Sequence, residues 1–528
     1  MIKNNSRNSS PHPALIAALL DPAVYPHPAP SCRLIETHAS WVILTGAYAY
    51  KIKKPVNLGF LDFSTLEKRR HCCMEEIRLN RRLAPDIYVA ALSITGAVDA
   101  PVWNGDGNAI EYAVQMKQFP QEAQLDRMLN KEGLHPEQMD VMGRWIADFH
   151  RSIPTTVSDT PCGDLPHVRA PIEENIIQIR SYTSNRSYLD AISRLENWFE
   201  ETFQTLAPVF VQRKADGFIR ECHGDMHLRN IAWIRDAPVA FDCIEFNPYL
   251  RWIDVISDIA FLVMDLLRRN HPRLAWRFLD VYLEAGGDYA GLRVLPYYLT
   301  YRALVRAKVD IIRAHQSPAD SEERREAATD FLGYLKLAEC CSQRKKTPLI
   351  ITHGLSASGK STITRFLQER LGAIRIRSDA ERKRLTEISA AASRSDFQTG
   401  IYTDAISIQT YQRLSELAAI IVDAGFPVII DAACLKRSQR QQFLQLAASK
   451  HLPCIILDII ASPETLYSRI TKRRNDISDA DVVVLNHQQT IAEAFTDNER
   501  PHVITVNTEH PVDIEALIEL ISNRTESP

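Results

Sequence analysis

The apolar positions along the chain fall into two kinds of run. In the last third, Leu349-Ile350-Ile351-Thr352, Pro427-Val428-Ile429-Ile430-Asp431 and Cys454-Ile455-Ile456-Leu457-Asp458 are short hydrophobic stretches, the pattern of strands buried on both faces. Ile374-Arg375-Ile376-Arg377 alternates instead, like a strand with one polar side. Between these runs, residues 362–371 carry Ile363, Phe366, Leu367 and Leu371 at helical spacing and stop at Gly372, and residues 403–424 form a second helical run stopped by Gly425. Strands alternating with helices predict an α/β unit with a mostly parallel sheet.

The first two thirds read differently. Trp41-Val42-Ile43-Leu44 and Ala47-Tyr48-Ala49-Tyr50-Lys51-Ile52-Lys53 predict a hairpin around Gly46. Residues 66–83 predict a helix, Val239-Ala240-Phe241 a strand, and the stretch after Arg251 an apolar helix carrying Asp258. Ala14 to Leu20 suits a short amphipathic helix better than a signal peptide, because it is seven residues long and runs into Asp21-Pro22. The expected class is α+β. A polar, basic stretch ending in proline, Ser342 to Pro348, separates the two patterns and divides the chain into domains at 1–343 and 347–528.

Composition narrows the partners. The 528 residues are 45% hydrophobic and 24% charged with net charge −3, which gives no reason to expect general nucleic-acid or membrane affinity. No apolar run reaches the ~18–20 residues that span a bilayer. The ten cysteines include no CxxC pair; buried thiols in a reducing, cytoplasmic setting are the expectation.

Candidate chemistry is dense in two places. Gly354-Leu355-Ser356-Ala357-Ser358-Gly359-Lys360-Ser361 fits G-x-x-x-x-G-K-[ST] and lies between a predicted strand and a helix beginning at Thr362. Backbone N–H groups and the positive helix end would cradle polyphosphate there, with Lys360 reaching the β/γ-phosphates and the Ser361 hydroxyl on Mg²⁺. Asp431, at a strand end, is the expected Mg²⁺-water ligand, with Asp458 as its competitor. Asp379 follows another strand, where it can act as base toward an acceptor hydroxyl or as a cap on the helix through Glu381; Arg377 could hold substrate charge. Arg469, Arg473 and Arg474 fit either a phosphate-closing lid or a solvated basic face. These features resemble the AAA_33-type small P-loop kinases, which include polynucleotide kinase, chloramphenicol phosphotransferase and zeta-toxin relatives. The resemblance implies phosphoryl transfer from ATP or GTP with Mg²⁺, a base at Asp379 and an arginine lid that includes Arg473.

The second dense motif is Cys222-His223-Gly224-Asp225-Met226-His227-Leu228-Arg229-Asn230, followed by Asp242 after the predicted strand. One carboxylate to orient an acceptor hydroxyl, with an amide and a second carboxylate for Mg²⁺, is the set that phosphoryl transfer needs. The motif resembles the aminoglycoside phosphotransferase/kinase-like superfamily. By that likeness Asp225 is the base, Asn230 and Asp242 hold Mg²⁺, and Asp258 braces the loop. Lys51 and Lys53 share a strand face and either could neutralise α/β-phosphates; Lys51 is preferred, with Glu76 as its partner. Tyr112 to Met116 is read as the adenine hinge. No G-x-G-x-x-G loop precedes the lysine, as in aminoglycoside-type kinases. Tyr297, Tyr298, Tyr301, Arg302 and Arg306 line an acceptor cleft or are core aromatics with extended arginines.

Domain order and the run Lys51-Ile52-Lys53-Lys54-Pro55 resemble a bacterial group of bifunctional aminoglycoside phosphotransferase/ATP-binding proteins. The resulting expectation is an ATP-dependent phosphotransferase with two nucleotide sites acting on hydroxyls of small molecules. A regulatory or toxin-like kinase modifying protein or nucleic acid, with one ATP site as sensor, is the alternative.

Overall fold

The computed structural model describes residues 12–57, 59, 61–131, 133–157, 159–343, 347–392, 404–472 and 482–526. The chain divides into two compact units. The first holds Met1–His135, Ser152–His167 and Gln212–Leu262, and the second Pro136–Arg151, Val168–Val211 and Val263–Pro528.

In the first unit, strands β1 (Arg33–Glu36), β2 (Ser40–Leu44), β3 (Tyr48–Lys53), β4 (Tyr88–Ala97), β5 (Ala100–Trp103) and β6 (Glu111–Lys117) form an antiparallel sheet in the order β1-β2-β3-β6-β4-β5. The two-residue period of a strand sorts β3 into two sides. Tyr50 and Ile52 pack with Leu15, Ile16 and Leu19 of the short helix His12–Leu19, beneath Tyr25 and Ile43. Lys51 and Lys53 therefore point to the opposite side, where the helix Leu66–Asn80 packs Cys73 and Ile77 against Tyr88 and Val114. Thr65 starts that helix by accepting the Lys68 N–H (3.2 Å). It ends three residues before the predicted stop, in a turn where the Leu83 N–H reaches Asn80 O.

Two short hairpin-like pairs complete the unit. β7 (Ile219–Glu221) pairs with the later strand Trp252–Asp254, and β8 (Ile231–Ile234) with β9 (Ala237–Ala240) across Arg235-Asp236, both at positive φ. This is a two-residue turn matched to strand twist. The loop from β7 to β8 carries Cys222 to Asn230, and the strand Trp252–Asp254 is β10. The helix Val255–Arg268 follows directly.

In the second unit, β11 (Leu349–His353), β12 (Ile374–Arg377), β13 (Val428–Asp431), β14 (Cys454–Ile460) and β15 (Val503–Asn507) form an all-parallel sheet in the order β12-β13-β11-β14-β15. Ile350, Ile429, Ile455 and Leu457 lie in one apolar cluster with Ile363 and Leu367 of the helix Lys360–Leu371. Burying each such side chain is worth roughly 1.5–3 kcal/mol. Phe366 departs from its expected face: it is 47% exposed, because a helix turns past the sheet within three residues. The helix predicted over 403–424 spans Asp404–Asp423, and the one carrying Glu381 starts earlier, at Ser378, and runs to Ala392.

The same unit contains the helices Pro272–Gly286 and Leu295–Gln316. Tyr297 is buried among Phe199, Phe203 and Phe210, and Tyr298, Tyr301 and Arg302 are also buried. These aromatics are core rather than cleft. The helix Pro272–Gly286 meets the helix Lys360–Leu371 through Gln368 Nε2 to Trp276 O (2.7 Å) and Arg277 to Glu369 (3.0 Å). The fold is thus an α+β part with an antiparallel sheet followed by an α/β part with a parallel sheet. Among the described residues no helix is long and apolar enough to cross a membrane.

Candidate active sites

The face of β3 that avoids the apolar core delivers both lysines to one carboxylate. Lys51 Nζ bonds Glu76 Oε1 (2.9 Å) and Asp242 Oδ1, while Lys53 Nζ bonds Glu76 Oε2 (2.7 Å) and Glu245 Oε1. Burial opposes charge on Lys51, but Asp242 and Glu76 outweigh it and raise its pKa well above the usual lysine value. Burial likewise pushes Glu76 up, and the two ammonium groups pull it below the usual range. Lys53 is fully enclosed and also lies over the Phe63 ring. The exposed end of this ladder is Asp242, whose side chain is 48% accessible beside Lys51.

Asp242 is aimed by strained backbone and two anchors. Its φ of +63° is left-handed, a cost that surrounding contacts must hold. Its N–H donates to the Tyr88 hydroxyl (3.0 Å), and the next N–H, of Cys243, donates to Asn80 Oδ1 (2.9 Å). Asp225 stands on the β7–β8 loop. Asn230 Nδ2 donates to Asp225 Oδ2 (2.9 Å) and Asp225 O (3.0 Å), so the amide turns its N–H side to Asp225. His227 Nε2 is 3.4 Å from Asp225 Oδ2.

The loop itself is held from below. Asp258 accepts the N–H groups of His223 (3.1 Å) and Gly224 (2.8 Å), the bracing role expected for it. Gly224 has φ +86°, and a Cβ there would sit 2.7 Å from Leu250 O, so only glycine fits. Burial lowers the His223 pKa. The neutral ring donates Nε2–H to Phe241 O (3.0 Å) and accepts the Asp225 N–H at Nδ1 (3.3 Å), a tautomer assigned from its partners. With Phe241 N–H on Asn230 O (2.9 Å), these bonds join the Asp225 loop to the Asp242 loop. Met116 lies within β6, opposite Ala49 and Tyr88. The chain leaves the sheet just beyond it, at Gln118 to Pro120, so the predicted hinge is a central strand up to Lys117.

The second site grows from β11. Gly354 at φ +144° cannot carry a side chain, because a Cβ would be 2.3 Å from Ile459 O. Ala357 and Gly359 are also left-handed, and the helix Lys360–Leu371 starts at once with Ser361 and Thr362 in its first turn. Lys360 Nζ lies inside the loop, donating to Gly354 O (2.9 Å) and Leu355 O (2.7 Å). Ser358 Oγ is buried without a hydrogen-bond partner. A cavity of about 780 Å³ opens here, lined among others by Lys360, Ser361, Asp379, Asp431 and Phe366.

Asp431 ends β13, is nearly buried, and accepts Thr364 Oγ1 (3.1 Å). Asp458, the other candidate, is bound to His353 Nδ1 (2.7 Å). Asp379 is inside the first turn of its helix and accepts from Arg382 (3.1 Å); it faces the cavity rather than capping. Arg469 is a brace, donating to Ala357 O (3.2 Å) and to Thr508 Oγ1 and O (2.9 and 2.7 Å). Arg473 and Arg474 lie outside the described residues. Sequence reasoning passed over Glu245, Arg375, Gln488 and Thr508. Gln488 Oε1 takes the Ser356 N–H (2.7 Å), a long-range pairing with no local sequence signal.

Both donor sets suit a nucleotide and a hard cation. Amide and carboxylate oxygens meet Asp225 in the first site, and a glycine-dependent N–H loop with a hydroxyl and a carboxylate makes the second.

Residues 73–295 match the phosphotransferase enzyme family, and residues 349–495 match the AAA domain family. The protein is a kinase-type phosphotransferase with a P-loop nucleotide-binding region. Over 447 residues it is 30% identical to the uncharacterized protein Rv2004c of Mycobacterium tuberculosis (strain ATCC 25618 / H37Rv), covering 84% of this chain and 87% of that one. The chain belongs to the same family as that mycobacterial protein. Among solved structures it is similar to the amicoumacin kinase hAmiN in complex with AMP-PNP, Ca²⁺ and Ami (14% identity, 62% of this chain, 93% of that chain, TM-score 0.40). It is also similar to an unliganded sugar kinase from Janibacter sp. HTCC2649 (26% identity, 34% of this chain, 94% of that chain, TM-score 0.27).

Proposed function

We propose that the chain is an ATP-dependent phosphotransferase with two nucleotide sites, each directing a terminal phosphoryl group to a hydroxyl of a small molecule. The observation that carries the reading is the convergence of Lys51 on both Glu76 and Asp242. It supports an assembled phosphate-and-metal site next to the Asp225–Asn230 pair. Bound Mg²⁺ would supply charge neutralisation on the donor phosphates. Asn230 and Asp242 would hold it in the first site, and Ser361 and Asp431 in the second. Lys51 neutralises phosphate oxygens, Met116 borders the base, and Asp225 accepts the acceptor hydroxyl's proton. In the second site the N–H groups from Gly354 to Thr362 and the Lys360 ammonium cradle phosphate, and Asp379 is the base. We assign these functions to domains 1–343 and 347–528.

The test is label transfer from γ-labelled ATP into a metabolite library by the full chain, Asp225→Asn and Asp379→Asn. Loss of a base typically costs about 10²–10⁴-fold, so each variant is expected to lose a different labelled product by that order. Label lost from the same products in both variants, or from none, contradicts two independent sites.

A further inference from the structure

The P-loop site receives two acidic side chains from a helix that precedes the P-loop segment in sequence. The helix Pro272–Gly286, whose residues fall within the phosphotransferase-family match, presents Asp280 and Glu284 one turn apart. β12 presents Arg375 and Arg377 two residues apart on one side of the strand. The spacings mesh. Asp280 Oδ1 accepts the Arg375 N–H (2.9 Å) and Oδ2 lies 3.4 Å from its Nη2; Glu284 Oε1 is 3.8 Å from Arg377 Nη1. On their other side both arginines face the P-loop machinery. Arg375 Nη1 donates to Ser361 O (3.3 Å), and each guanidinium is 3.9 Å from Asp431 Oδ2. Arg375 and Asp280 are both buried, so solvent does not screen this cluster. Burial pushes the Asp280 carboxyl up to about 6 against the pull of Arg375, whose N–H and guanidinium reach its two oxygens.

Counted over the five side chains in direct contact, with the Arg365 guanidinium as a further positive neighbour of both arginines, the helix supplies the counter-charge. Asp431 with two guanidinium groups is net positive, a poor place for a divalent cation; Asp280 and Glu284 offset the two guanidinium charges. We infer that Asp280 and Glu284 are positioning residues for the P-loop site, engaging Arg375 and Arg377 so that Asp431 keeps its carboxylate for Mg²⁺. The inference rests on the P-loop reading above and adds that this site is completed by a segment of the phosphotransferase-family part. Nothing in the P-loop motif itself encodes that dependence.

The experiment uses the full chain with Lys51→Met and Asp242→Asn to silence the first site, and calorimetric titration of AMP-PNP at varied Mg²⁺. Outer-shell carboxylates typically contribute about 10–100-fold to metal affinity. Asp280→Asn and Glu284→Gln are expected to raise the Mg²⁺ concentration for half-saturation within that range, while Mg²⁺-free nucleotide affinity is unchanged or higher. Asp280→Asn combined with Arg375→Met removes the freed cation and is expected to restore Mg²⁺ affinity. That variant also serves if Asp280→Asn alone does not fold. Unchanged Mg²⁺ half-saturation in the single variants, or no recovery in the combined one, overturns the inference. Mg²⁺–AMP-PNP binding that persists in Lys360→Ala overturns the P-loop reading itself, a separate outcome.

Discussion

Lys51 and Lys53 differ by two positions and by function, and geometry separates them. Both reach Glu76, yet Lys53 is sealed between Glu76 and Glu245 while Lys51 ends at the accessible Asp242. On this account Lys53 is a structural cation that fixes Glu76 and ties it to the loop after Asp242. Removing one member of a buried pair typically costs ~3–5 kcal/mol because its partner stays charged and dry. Lys53→Met is therefore expected to lose stability of that order in urea unfolding. Lys53→Met with Glu245→Gln should regain most of it and retain ATP affinity. ATP affinity that collapses in the restored double variant would make Lys53 a phosphate ligand after all. The sequence showed both lysines on one face but could not rank their burial, because Glu245 lies 192 residues from Lys53.

At the scale of elements, the local signals were the readable ones. Leu349 to Thr352, Val428 to Asp431 and Gly372 announced strands and a helix stop because their own residues dictate them, through buried apolar runs and a left-handed cap. The spacing from Asp225 to Asn230 was legible for the same reason: one loop carries both residues. Buttresses between elements were not. Arg440, on the helix Arg437–Ser449, is fully buried and bonds Glu499 (2.7 and 3.2 Å) and Leu435 O (2.9 Å). It ties the segment after β13 to the approach of β15, and no pattern within either segment announces it. Arg440→Met, which leaves buried Glu499 without its cation and held by Thr496, is expected to cost ~3–5 kcal/mol in denaturant unfolding. A loss below ~1 kcal/mol would mean the segment is held by other contacts.

At the scale of the whole molecule, two family matches in one chain raise the question of why they are joined. The paired acids of the helix Pro272–Gly286 answer in physical terms: within the second unit, a phosphotransferase-family helix supplies the counter-charge for Arg375 and Arg377. Charge balance across distant segments is invisible to motif reading, which locates ligands but not what neutralises their neighbours. The Asp280→Asn titration belongs to this scale. So does the first question about the account, whether both sites take up nucleotide. Calorimetric titration of the full chain with AMP-PNP and Mg²⁺ is expected to give two equivalents bound per chain, falling to one in Lys360→Ala and to a different one in Lys51→Met with Asp242→Asn. A single equivalent in the unaltered chain, lost in only one of these variants and untouched in the other, would contradict it.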